Sequence, residues 1–445
     1  MIKKILLVFV FCSFAFIKSA NAELFKAHEF FLSNGLHVVV VENHKAPLVK
    51  QMLFYKTGAV NDGLGKGGRA HFLEHLMFRG TDKIKDGKLN ELLENNGVSN
   101  NAFTGYEVTA FHEFADISKL ELLLAIEADR MRNLNFDEKA FTAEKQVVIE
   151  ERKQVVENNP AAPFMERFRQ MIWGNTPFGR PITGLKEEIE ALSFADVKDF
   201  YNQYYAPNNA VLVLSGDIGL NEAKPLVEKY FGAIKNPPIK ASYTETPVLN
   251  EKFSQRLKMN LPHIQTPKII WRFILPPYTK LSGNPYDYDV LAEYLGSGDN
   301  SALYRDLVIK QKIALSVSAD FSFISASNSV FSLSLIPADG IKISDAEKEL
   351  NEALRNAIEK FDAQKLASIK KKMLADLVYV NDNPADSANM IGYMLATGFS
   401  LDDVQNYEQN IENVSLKGVK NAYHEVFYNS AKAVGILLPE NGVEE

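Results

Sequence analysis

The stretch "SFADVKDFYNQYYAPNNAVLVLSGD" at residues 193–217 returns near the end of the chain as "SLKGVKNAYHEVFYNSAKAVGILLPE" at 415–440. At an offset of 222 residues, Ser193, Val197, Lys198 and Tyr201 meet Ser415, Val419, Lys420 and Tyr423, and Tyr205 meets Phe427. Each copy reads as an amphipathic helix running into a short apolar strand. A repeat this long marks a duplicated domain rather than a solenoid. Between the copies, "KNPPIKASYTETPVLN" (235–250) is rich in Pro, Ser and Thr and has no apolar period, as expected of a linker. The expected organisation is a first half over 23–234, a linker over 235–250 and a homologous second half over 251–445.

Within the first half, "GLHVVVVENH" and "VKQMLFYKTGAV" run apolar as strands do, with Asn34-Gly35 just ahead. Helical patterns follow at 67–78, 87–96, 117–131 and 138–157, and "NNAFTGYEVTAFHEF" between them reads as paired strands. Strands mixed with clustered helices predict an α+β layer design in each half. A chain of 445 residues is too long for one ordinary core, which agrees with two domains.

The N-terminus, "MIKKILLVFVFCSFAFIKSANA", has the form of a secretory signal: Lys3 and Lys4, an apolar run from Ile5 to Ile17, and Ala20-Asn21-Ala22 for cleavage. Residues 1–22 are therefore expected to be removed on export, to a periplasm if the cell is bacterial. Cys12, the only cysteine, leaves with them, so no thiol can serve as nucleophile or ligand. No later run is apolar for long enough to span a bilayer. The formal charge moves from −7 to −10 when Lys3, Lys4 and Lys18 are lost. An acidic exported chain argues against nucleic acid as a partner.

The chemistry concentrates in "GRAHFLEHLMFRGT" (68–81). His71, Glu74 and His75 stand at i, i+3 and i+4, one face of a helix, while Phe72 and Leu73 point to the other. Two imidazoles one turn apart form a natural zinc chelate, and an acid between them reaches a bound water. The order H-x-x-E-H is the inverted zincin motif. A catalytic zinc needs a third protein ligand. The acidic helix "FTAEKQVVIEERKQVVENNP" is the best supplier, since Glu144 and Glu151 lie two turns apart on one face. Spacing alone does not choose between Glu150 and Glu151. His28, His37, His44, His112, His263 and His424 have no partner at ligand spacing.

These residues resemble the pitrilysin/insulinase family of zinc peptidases, in its two-domain bacterial branch related to the mitochondrial processing peptidases. Gly68 to Thr81, Asn101 to Thr104, "EKQVVIEE" at 144–151 and the segment 176–217 carry the likeness, which runs from about residue 30 to the end. The resemblance implies one zinc ion per chain, with His71, His75 and Glu151 as its ligands and Glu74 as the catalytic base. It also counts Glu144, one acid of the family's E-x6-E pair, with the catalytic residues as a support that does not bind zinc. Asn101, Ala102, Phe103 and Thr104 match the edge strand on which family members lay a peptide substrate. The implied fold is two similar α+β halves, each a mixed β-sheet covered by helices, closing as a clamshell. The implied activity is that of a metalloendopeptidase acting on short or unfolded exported peptides.

The second half departs from the pattern. Residues 288–321 contain no histidine, and the positions where relatives commonly carry an Arg and a Tyr hold Val308 and Leu315, with Tyr304 and Arg305 nearby. Two readings compete. Either a same-fold partner chain supplies the Arg/Tyr pair in a heterodimer, or the chain is a catalytically silent peptide-binding or assembly subunit.

Overall fold

The computed structural model describes residues 24–237, 253–322 and 327–442. The expected signal segment 1–22 and all but three residues of the expected linker lie outside the described residues. The fold is built on two sheets. In the first, β1 (Ala27–Phe31), β2 (His37–Glu42), β3 (Leu48–Tyr55), β4 (Ser99–Thr104), β5 (Thr109–Asp116) and β6 (Ala210–Gly216) stand in the order β1-β2-β6-β3-β5-β4. In the second, β7 (Ser254–Leu261), β8 (Lys268–Leu275), β9 (Ala314–Ser322), β10 (Ser329–Pro337) and β11 (Ala431–Pro439) stand in the order β7-β11-β8-β10-β9. β2 runs parallel to β6 and β7 to β11, and every other neighbouring pair is antiparallel. Strands β2 to β6 and β7 to β11 thus repeat one order and one set of directions. The duplication read from the sequence is a duplication of topology.

The helices before the linker are α1 (Arg69–Leu76), α2 (Leu89–Asn95), α3 (Leu120–Asn133), α4 (Glu138–Glu157), α5 (Ala162–Trp173), α6 (Lys186–Ala191), α7 (Phe194–Tyr204) and α8 (Leu220–Phe231). Those after it are α9 (Pro285–Gly296), α10 (Ile343–Glu359), α11 (Ala363–Asp382), α12 (Pro384–Ala396), α13 (Leu401–Gln405), α14 (Tyr407–Glu412) and α15 (Leu416–His424). The echoing segments are α7 with β6 and α15 with β11. The matched serines start both helices: Ser193 accepts from Asp196 N–H, and Ser415 from Gly418 N–H.

β2 reads "HVVVVE" without polar alternation because both its faces are covered. Val38 and Val40 join Leu53, Phe111 and Leu212 under α1, α3 and α7, where Phe72, Leu73 and Phe200 are fully buried. Val39 and Val41 face the other way, with Met52, Phe54, Val211 and Val213. That second face is closed by α12, a helix from the other half of the chain. The fit is close: a Cβ on Gly392 would lie 2.0 Å from the Phe54 ring. The exchange is reciprocal. α5 leaves the first half to pack Phe164, Phe168 and Ile172 on Ile270, Ile274, Ala433 and Leu437 of the second sheet. Gly435 again allows the approach, since a Cβ there would lie 2.7 Å from Phe164.

The helix expected over 67–78 is shorter. Gly68 takes the left-handed conformation (φ +85°) just ahead of α1, and a Cβ there would meet the Thr183 carbonyl oxygen at 2.4 Å. β1 and α5 were not among the sequence expectations. The apolar positions of α5 at i, i+4 and i+8 lie behind Pro160 and Pro163, which read as loop.

Candidate metal centre

Helix α1 lies across the first sheet beside its outer strands, with Phe72, Leu73 and Leu76 in the core and His71, Glu74 and His75 on the opposite side. Its N-terminus is fixed by Asp62, whose carboxylate accepts from Gly68 N–H (2.8 Å) and Ala70 N–H (2.7 Å). Arg69 Nη2 donates to the Asn61 carbonyl at 2.7 Å. Burial pushes the Asp62 carboxyl up to about 7, against the pull of those two amides. Asp62 is a site-building residue that the sequence reading missed. Its only signal is its place in "NDGLGKGG", a glycine-rich run directly ahead of the helix.

Helix α4 presents Glu144 and Glu151 to α1. Glu151 Oε2 lies 2.9 Å from His75 Nε2, and Glu151 Oε1 lies 3.6 Å from His71 Nε2. One ligand atom from each of His71, His75 and Glu151 falls within 4.8 Å of the others. Two nitrogens and a carboxylate oxygen are a zinc donor set, and three protein ligands leave a fourth position open. Of the two acids that spacing left open, α4 turns Glu151 to the imidazoles, while Glu150 is exposed and pairs with Lys153 at 3.8 Å.

Glu144 is brought to the far side of the same ring. Its Oε1 lies 3.1 Å from His75 Nδ1, and Arg79 Nη1 approaches its Oε2 at 3.5 Å. This carboxylate–imidazole contact leaves His75 Nε2 facing Glu151, the arrangement by which outer carboxylates orient metal-binding histidines. Burial lowers the His75 pKa, but hydrogen bonds to Glu144 and Glu151 outweigh it and push the ring up to about 9. The two carboxylates that favour a proton there favour any other cation as well. His71 behaves oppositely: burial, then the neighbouring His75, pulls it down to about 4, so the ring is neutral and its lone pair free.

Glu74 reaches the sheet edge. Thr104 Oγ1, at the end of β4, donates to Glu74 Oε2 at 2.5 Å. Burial raises the Glu74 pKa, with the Thr104 hydrogen bond and His75 opposing and Glu151 adding to the rise. β4 ends the first sheet, so Asn101, Ala102, Phe103 and Thr104 lie on an edge with no further strand among the described residues. The second half offers no comparable cluster among the described residues. There Val308 packs against the core and Leu315 stands 52% exposed on β9.

Residues 37–185 match the family model described as insulinase (peptidase family M16), and residues 191–373 match that of the peptidase M16 inactive domain. The zinc protease PqqE of Helicobacter pylori is 26% identical over 426 residues, which cover 94% of each chain. The β subunit of the rat (Rattus norvegicus) mitochondrial-processing peptidase is 31% identical over 45% of this chain and 41% of its own. The crystal structure of a protease from Helicobacter pylori superposes with a TM-score of 0.85 at 25% identity, over 93% of this chain and all of the other. With both family models in sequence and a two-sheet fold throughout, the chain belongs to the insulinase family of peptidases, M16.

Proposed function

We propose that the protein is a zinc-dependent metalloendopeptidase that hydrolyses short or unfolded exported peptides. The observation that carries this reading is the convergence of His71 Nε2 and His75 Nε2 on the Glu151 carboxylate, with Glu74 on the same helix face beside an open strand edge. Zinc held by His71, His75 and Glu151 supplies the positive charge that acidifies water and polarises a peptide carbonyl. The remaining work belongs to the chain. Thr104 holds Glu74 Oε2, and burial brings the carboxyl closer to neutrality, as suits a group that accepts a proton from water and returns it to the leaving amine. Glu144 positions His75 and touches no reacting atom. β4 lays the substrate backbone alongside the site by strand addition at Asn101 to Thr104.

Residues 23–234 serve as the zinc-binding half and 251–445 as its homologue without the motif. Export through residues 1–22 delivers the mature chain to a periplasm. No helix among the described residues is long and apolar enough to cross a membrane. The missing Arg/Tyr contribution supports a heterodimer with a same-fold partner, a view favoured by the relative that is named as one subunit of a processing peptidase. The test is peptide cleavage by the purified mature chain, alone and with its candidate partner, with and without a zinc chelator. Chelator-sensitive cleavage supports the reading. Stoichiometric zinc with no turnover in either setting would assign the chain to the silent-subunit alternative, and absence of stoichiometric zinc would overturn both.

A further inference from the structure

Beyond the end of β4 two arginines converge, neither of which forms a salt bridge among the described residues. Tyr106 follows Thr104 by two residues, so it lies within about 7 Å along the chain of the residue that holds Glu74. Arg169 of α5 sets its guanidinium carbon 4.9 Å from the Tyr106 ring centre. Arg272, on β8 of the second sheet, lies 5.8 Å from the ring of Phe168, the residue before Arg169. Arg272 Nε is sealed from solvent with no hydrogen-bond partner among the described residues. Burial, and then the charge of Arg169, disfavour its charged form.

The nearest carboxylates relieve this only in part: the charge of Asp320 favours the guanidinium, but it ranks behind burial and Arg169. Glu166, one turn before Arg169, is held by Arg152 at 2.5 Å. Asp320 stands in one row with Ser332 and Arg272 across β9, β10 and β8. That places its backbone two strand spacings from Arg272, about 10 Å away. Bringing two guanidinium groups together beside a buried, unsatisfied N–H is costly unless an anion completes the set.

We propose that Arg169 and Arg272 form a carboxylate subsite for peptide substrates, holding an acidic side chain or a C-terminal carboxylate about two to three residues from the bond next to Glu74. The paired guanidinium forks match the planar geometry of a carboxylate. The subsite joins the two halves of the chain over the substrate, since one arginine comes from each. It deepens the peptidase reading and rests on it.

The experiment uses matched peptides carrying Glu or Gln at each position within four residues of the cleaved bond, each with a free or an amidated C-terminus. KM is read on the parent protein and Kd on the Glu74→Gln variant. One Glu position, or the free terminus, is expected to bind about tenfold tighter than its neutral match. That ratio should fall to within about twofold in Arg272→Met and in Arg169→Met and partly return in Arg272→Lys. Thermal unfolding identifies a variant that fails to fold, in which case the other arginine decides. No preference in the parent, or a preference kept by the folded variants, would overturn the subsite. Preferential binding without any cleavage would instead sink the peptidase reading and leave the subsite standing.

Discussion

Glu144 grips His75 from the side opposite to Glu151, with Glu144 Oε1 3.1 Å from His75 Nδ1. Such a partner fixes the ring's tautomer and strengthens its donor atom. Glu144→Gln is therefore expected to weaken zinc binding by roughly 10- to 100-fold. Glu151→Gln, which removes a ligand, should weaken it further. Chelator competition measures both, and an unchanged affinity in Glu144→Gln would show that the contact orients nothing.

Glu74 is expected to separate binding from turnover. Glu74→Gln should retain zinc and lower kcat by about 10²- to 10⁴-fold. Metal analysis beside single-turnover kinetics provides the check. Loss of zinc in this variant would recast Glu74 as a ligand.

The contact between Lys50 Nζ and His112 Nδ1, at 2.7 Å across β3 and β5, makes stability depend on pH. Burial and the neighbouring Lys50 lower the His112 pKa to about 4. A depressed pKa gives stability that is whole above the unfolded value, near 6.5, and is lost as pH falls toward 4. Burial also lowers Lys50, to about 8, so its share is lost between about 10.5 and 8 and does not enter the acid window. Urea midpoints from pH 7 to pH 4.5 should fall more steeply for the parent than for His112→Gln. Parallel slopes would count against the pairing.

A second polar group is sealed in the first half. Arg130, Glu127 and Glu113 are buried, Arg130 Nη1 lies 3.3 Å from Glu127 Oε1, and the guanidinium carbon sits 4.5 Å from the Phe111 ring centre. Burial, then the charge of Glu127, drives the Glu113 pKa well up. Arg130→Met strands the carboxyls and should cost roughly 3–5 kcal/mol. Adding Glu127→Gln should recover part of that loss, by denaturant unfolding. A single variant as stable as the parent would show that the trio is a bystander.

Much of the site was legible because its chemistry is local. His71, Glu74 and His75 share one helix face by arithmetic, and Glu144 and Glu151 share another. The choice of Glu151 over Glu150 depends on how α4 is rotated against α1, which is a tertiary fact. Asp62 was hidden because a helix can be capped by a residue folded back from a loop, and no spacing rule reaches it. The fold was legible where it repeats, at 193–217 and 415–440. The destinations of α5 and α12 were not, because periodicity reveals that a face is buried and not what covers it.

The crossing of α5 and α12 also sets a timetable. As the chain emerges from its N-terminus, the face of Met52, Phe54 and Val211 stays uncovered until residues 384–396 have been delivered. The helix that carries His71, Glu74 and His75 therefore rests on an unfinished foundation through most of synthesis. A polypeptide cut short before α12 would leave that apolar face open to water, so His71, Glu74 and His75 share a support that only the nearly finished molecule closes.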